Sequence, residues 1–335
     1  MPGYALKAAA MEAAQLTDRA EALAGMGLPV RLELHTFGPR DIEDRATRRR
    51  CLENVERLRA SHGPLDLTVH VPLQKVARVT ESAFDADQVE DALRFAEEAR
   101  VPRVVVHRYW GLVQGGAPQR IDRAEATAAF NAEIARLARL APDSLLLVEN
   151  VGHYSLLPRD GTSYLAGPLD HFFPWEIADF RAFVAAEGLT NVAPFVDTAH
   201  ATLSANLFNW RRAYPAHTKD DPRFGAVLDS DLERAERLHP FDFVDGDMPW
   251  LHVSDSIFYA DPGRAGPGIP LDALISEGLE VGAGNLPWAD FPDRLGRDAD
   301  TCLVLEVEPG EGESHRANLA QARSLKRLRG LFGSG

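Results

Sequence analysis

Six side chains of the kinds that bind metal ions stand at the ends of short apolar runs: His70 in LDLTVH, His107 in RVVVH, Glu149 in SLLLVE, Asp197 in APFVD, His252 in WLHV and Glu306 in CLVLE. A charged or imidazole side chain at the end of a buried run is costly unless it finds a partner. One divalent cation satisfies several such groups at once, and a mixed Glu/Asp/His set suits Mn, Mg, Co, Zn or Fe. Any one of these residues alone is ordinarily just a hydrogen-bonded polar group. Six at equivalent places predict a shared site holding one or two ions per chain. Glu306 and Glu308 fall on one face of their run by the period of two, so either could be the last donor; Glu306 is chosen because it closes the apolar run.

Other residues stand around this set. His200 lies three residues past Asp197, within reach of a substrate or of a ligand's outer side, and Asp255 follows His252 in the same way. Trp110 could form an apolar wall against a sugar ring, or simply pack a loop. A phosphorylated substrate would want a cation at the mouth. Arg108, Lys219 and Arg264 stand in or beside loops, where a basic residue is ordinarily a solvated surface charge. Arg264 is kept as the candidate.

The runs that carry these residues recur with helical patterns between them. Strands are predicted at Val30–His35, Leu65–His70, Arg103–His107, Ser144–Glu149, Ala193–Asp197, Trp250–Val253 and Cys302–Glu306, with an eighth at Gly3–Ala8. Helical periodicity covers Ala9–Gly25, Asp41–Ser61, Asp85–Ala99, Ala124–Leu140 and Ser314–Leu331. Such alternation means crossover units and a parallel sheet. Seven or eight units, with no GxGxxG turn after the first strand, predict one α/β domain, a single (β/α)8 barrel over residues 1–335. All strands then end at the face where barrel active sites lie. Two insertions, about 152–173 and 202–247, leave from strand ends and are expected to cover that mouth.

The composition agrees with a globular barrel: 335 residues, 45% hydrophobic and 26% charged. The formal net charge of −14 disfavours nucleic acid as a partner. Cys51 and Cys302 make no disulfide framework. No signal-like N-terminal stretch and no membrane-length apolar run is visible. A cytoplasmic setting and a small-molecule substrate are therefore expected.

The segments LLVEN, FVDTAHA, LHVSDS, GAGNLPW and VLEVEP follow one another in order, and GMGLPVRLELH precedes them. Together they resemble the xylose isomerase-like TIM barrel superfamily, which holds sugar isomerases and epimerases and the endonuclease IV type of DNA-repair enzyme (AP endonuclease family 2). The likeness covers most of the chain and places Glu33 on the second strand. It implies metal ligands at Glu149, Asp197, His252 and Glu306, with Glu149 and Glu306 also serving as acid and base. It implies a second metal at His70 and His107 that shares Glu149. A third metal of endonuclease-like members uses a histidine matched by His200 and an Asp-x-His that here reads Ser276-Glu277-Gly278, so that site looks dismantled. Members of the superfamily are often dimers or tetramers, which implies a homo-oligomer.

The resemblance implies first an isomerase or epimerase of carbohydrate metabolism, moving a proton on a sugar or related polyol-keto compound through a metal-stabilised enediolate. The alternative is a two-metal hydrolase, an endonuclease IV-like phosphodiesterase, supported by His70 and His107. A lyase or dehydratase on a small polyol could use the same metal and base. A binding protein without catalysis is the remaining option.

Overall fold

The structure is a computed structural model, and it describes residues 2–35, 42–72, 86–108, 112–114, 122–151, 164–166, 172–225 and 227–333, with backbone alone at 112–114, 164–166 and 222. Trp110 and nearly all of the expected insertion at 152–173 lie outside the described residues.

Eight parallel strands close into a barrel: β1 Gly3–Ala9, β2 Arg31–His35, β3 Asp66–His70, β4 Arg103–His107, β5 Leu145–Glu149, β6 Val192–Asp197, β7 Trp250–Val253 and β8 Cys302–Leu305. Each pairs with its neighbours in chain order, and β1 pairs with both β2 and β8. The larger helices are α1 Ala13–Gly25, α2 Arg45–His62, α3 Ala86–Glu98, α4 Arg123–Leu140, α5 Pro174–Ala186, α6 Thr198–Ala213 and α7 Leu319–Leu331. A short antiparallel ribbon, Leu112–Gln114 with Tyr164–Ala166, stands apart from the barrel sheet.

Strand alternation sorts the side chains. Leu32, Leu34, Leu67, Val69, Val104, Val106, Leu146, Val148, Leu251, Val253, Leu303 and Leu305 join the large core shared with the helices. Ala5, Val105, Leu147, Phe195, Trp250, Cys302 and Val304 form a separate cluster inside the barrel. The base of the interior is ionic: Asp66 bonds Arg31 at 3.1 Å and Arg103 at 2.6 Å, and Arg103 lies 4.5 Å over the Trp250 ring. Apolar side chains fill the middle, and the polar strand ends crown it.

Several boundaries differ from those read in the sequence. Ala9 belongs to β1, held by pairing with His35, so the first helix begins at Ala13 and not at Ala9. The last helix begins at Leu319, capped by Asn318. The stretch from Thr202, expected as an insertion after β6, is partly helical: α6 runs unbroken from Thr198 and buries every residue from Thr198 to Trp210. Its polar side chains are tied inward. Thr198 Oγ1 donates to Ser254 O at 2.8 Å, and Asn206 Nδ2 donates to Ile257 O and Ala273 O. Asn209 Nδ2 donates to Leu238 O, and Trp210 Nε1 donates to Gly266 O. Short helices between Pro215 and Ile275 cover it.

Cys51 and Cys302 are both buried. Among the described residues, no helix is long and apolar enough to cross a membrane.

Candidate metal centre

Parallel register carries the strand ends to one level. His35 stands beside His70, His107 beside Glu149, and Asp197 beside His252. Glu149 lies at the centre of what results. Its Oε1 is 2.7 Å from His252 Nδ1, and its Oε2 is 3.2 Å from His70 Nε2 and 3.1 Å from His107 Nε2. Glu306 Oε2 meets the same His252 Nδ1 at 2.5 Å, with Asp197 Oδ2 at 3.9 Å. Of the two glutamates near the end of β8, Glu306 reaches this group. Glu308 is half exposed and meets Lys7 at 3.1 Å. Asp197 is held from both sides by Asn150, whose Oδ1 accepts Asp197 N at 2.6 Å and whose Nδ2 donates to Asp197 O at 3.2 Å. Asp197 in turn caps α6 by accepting His200 N.

His200 sits on the first turn of α6. Its Nδ1 donates to Asn150 O at 2.8 Å, and its Nε2 lies 3.3 Å from Glu277 Oε2. The segment Ser276-Glu277-Gly278 thus still brings a carboxylate to His200, although the Asp-x-His pattern is missing.

Asp255 does not join the cluster. It is fully buried, and it accepts backbone N–H groups from Ser256, Gly282 and Leu286, so it builds the loop after β7. Arg264 is exposed and pairs with Asp261, which caps the four-residue helix that carries Arg264. Arg108 is no solvated charge: it is buried, with its guanidinium 4.6 Å from the Phe172 ring.

Three residues at the site carry no assignment from the sequence. His35 closes β2 as the other histidines close theirs, and stacks on His70 with ring centroids 4.4 Å apart. Glu33, one layer deeper, accepts from His252 Nε2 at 2.7 Å and from His35 Nε2 at 2.9 Å. Lys7 on β1 reaches Glu306 at 3.0 Å.

Buried carboxylates and histidines dominate the electrostatics of the cluster. Glu33, Glu149 and Asp197 are buried and Glu306 is largely so, while Lys7 is the fixed cation that pairs with Glu306. Burial pushes the Glu149 carboxyl up, but His252, His107 and His70 hold it well below the ordinary value. Burial works against charge on His252, yet Glu306, Glu33 and Glu149 carry it well above the usual imidazole range. Burial takes Asp197 up to about 6, with Glu306 and Glu149 adding to the rise and His200 opposing it. His200 is lifted to about 10 against burial by Asp197 and Glu277. Burial pushes His35 and His107 down, while protons are drawn onto His252, His200 and His70 to offset the carboxylates. A divalent cation would do so more fully. Each of three donor groups, Glu33–His35–His70–His252, His70–Glu149–His252–Glu306 and Glu149–Asp197–His200, offers ligand atoms within 4.8 Å of one another. These donors suit a divalent ion of the Mn, Fe, Co or Zn kind.

No family model matches the chain, and no curated protein matches it by sequence. Solved structures do match in fold. A xylose isomerase domain protein from Alicyclobacillus acidocaldarius is 16% identical, with 99% of this chain and 100% of that one covered and a TM-score of 0.53. Endonuclease IV from Thermus thermophilus is 19% identical, with 100% of both chains covered and a TM-score of 0.53. D-allulose 3-epimerase from Methylomonas sp. is 14% identical, with 98% of both chains covered and a TM-score of 0.55.

Proposed function

Taking the fold as that of the xylose isomerase-like barrels, we propose that this chain is a divalent-metal-dependent isomerase or epimerase of a sugar or related polyol-keto compound. The observation that carries the proposal is the convergence of Glu149 and Glu306, from non-adjacent strands, on His252 Nδ1 at 2.7 and 2.5 Å. Glu149, Asp197, His252 and Glu306 would hold the ion. When bound, the ion would hold a hydroxyl and the neighbouring carbonyl of the substrate and stabilise the enediolate that forms. Glu149 and Glu306 would take the proton from the carbon between them and return it, one from each side. Against burial, His252 and then Lys7, which lies between Glu306 and Glu308, hold the Glu306 carboxyl well below its ordinary value, so it would be ionised and able to accept that proton. His200, beside the cluster, would contact a substrate oxygen. The likeness to D-allulose 3-epimerase supports a ketose as the substrate class.

The test combines metal analysis with solvent exchange. Purified protein, reconstituted with manganese, cobalt, magnesium or zinc, is expected to hold at least one ion per chain. In heavy water it should place deuterium on the carbon next to the carbonyl of a ketose substrate found by screening. Failure to bind any of the four ions would end the metal reading. Metal binding with turnover of a ketose but no deuterium uptake would end the proton-transfer reading.

A second reading, a two-metal hydrolase, is favoured by His70 and His107, which both face Glu149 Oε2 while Oε1 faces His252. Two ions sharing Glu149 would suit phosphodiester hydrolysis. With a net charge of −14, however, the zinc-loaded protein is expected to leave abasic DNA uncut. Cleavage at catalytic enzyme concentrations would put the hydrolase first.

A further inference from the structure

Three histidines of the centre have one ring nitrogen committed elsewhere, and the commitments differ in kind. His70 bonds Val71 O through Nδ1, and His200 bonds Asn150 O through Nδ1. Both therefore turn Nε2 toward a carboxylate. His252 is reversed. Its Nε2 donates to the Glu33 carboxylate at 2.7 Å, and its Nδ1 faces Glu149 and Glu306. The Phe195 ring meets the imidazole edge-on, with centroids 4.5 Å apart and planes at 86°. The ring is thus boxed from the side and anchored from behind.

Glu33 is an expensive residue to place there. It is completely buried on β2, beside Thr68 in the neighbouring strand. Its Oε1 accepts from both His252 and His35, but its Oε2 has no hydrogen-bond partner among the described residues. A buried carboxylate left half satisfied opposes folding. A carboxylate behind a ligating imidazole fixes the tautomer and raises the ring's basicity, which strengthens the bond it makes on the other side.

We infer that Glu33 is a positioning residue that holds His252 with Nε2 protonated and Nδ1 presented to the donor set of Glu149 and Glu306. The inference rests on the metal-centre reading above. In this role Glu33 acts through His252 and not as a ligand of the Glu149 and Glu306 donor set. His35 donates to the same oxygen and keeps the carboxylate turned toward the ring.

The test uses zinc and the full chain. Glu33→Gln keeps the size and one acceptor but removes the charge. It is expected to bind zinc about 10-fold more weakly in competition with a chelator. Zinc per chain at saturation should be unchanged, and the circular dichroism spectrum should match wild type. Unchanged affinity would overturn the inference. So would a saturation level one ion lower, because Glu33 would then be a ligand itself. Should the variant not fold, nitrogen-15 spectra of histidine-labelled, zinc-loaded wild type decide the matter. His252 is expected to carry its proton on Nε2 and its metal shift on Nδ1, opposite to His70. A metal shift on His252 Nε2 would refute the inference. A wild-type protein that takes up no zinc is a different failure: it removes the metal centre, and this inference with it.

Discussion

Glu149→Gln is expected to empty the barrel of metal while leaving it folded. Glu149 is the carboxylate shared by two of the three donor groups, with Oε1 toward His252 and Oε2 toward His70 and His107. The amide removes the negative charge and replaces one oxygen with a donor. That donor still finds an acceptor, since His70 has its Nδ1 on Val71 O and turns Nε2 toward this position. The metal-free fold loses the charge that pairs with His252, His107 and His70, so its own melting temperature should fall somewhat, and the metal effect is read as the gain each protein shows on adding the ion. Binding should fall by more than the ~10–100-fold that losing an outer partner of a ligand costs. Wild type should gain about 2.7 kcal/mol of stability at a free metal concentration 100 times Kd, and the variant should gain almost none. Metal analysis and melts with and without manganese or zinc check this. A variant with full metal content would sink the assignment of Glu149 as a ligand.

Gly284→Ala is expected to cost about 3 kcal/mol of stability, through space and not through backbone angle. A Cβ there would lie 2.2 Å from Ser256 O and 2.6 Å from Asp255 Oδ1. Neither atom can yield. Ser256 O accepts from Asn285 N, and Asp255 is buried with its oxygens on the backbone N–H groups of Ser256, Gly282 and Leu286. Moving Asp255 would strand those donors, and each buried group left unpaired adds to the loss. Urea unfolding measures the effect. A variant within about 0.5 kcal/mol of wild type would show that the loop can be rebuilt without Asp255.

The barrel was legible because its strands are apolar runs that stop at polar residues, and a run closed by His or Glu announces both the strand and the mouth. What stayed hidden follows from the same rule. In RLELH the charge at Glu33 alternates with leucines, which in an ordinary sheet marks the solvent side. In a closed barrel that side is the interior, so Glu33 is fully buried rather than exposed. His35 ends the same strand, two residues on and therefore on the same interior face. Lys7 interrupts an alanine-rich first strand whose apolar character is weak. Asp255 follows His252 in sequence, but the chain has left β7 by then and turns the carboxylate into the next loop. Glu277 reaches His200 from a segment without periodicity, and only the folded loop brings it there.

The burial of α6 on every side has a meaning for descent. A helix with a wet face can drift, because exchanges on that face cost little; α2 and α7 have such faces. From Thr198 to Trp210 there is no such face, and the threonine and asparagine side chains are as tightly engaged as the apolar ones. Lineages of this protein should therefore diverge slowly across this stretch and quickly on the outer helices. Beyond Asp197 and His200, the likeness they keep there would record packing rather than reaction, and two descendants with different substrates could share it in full.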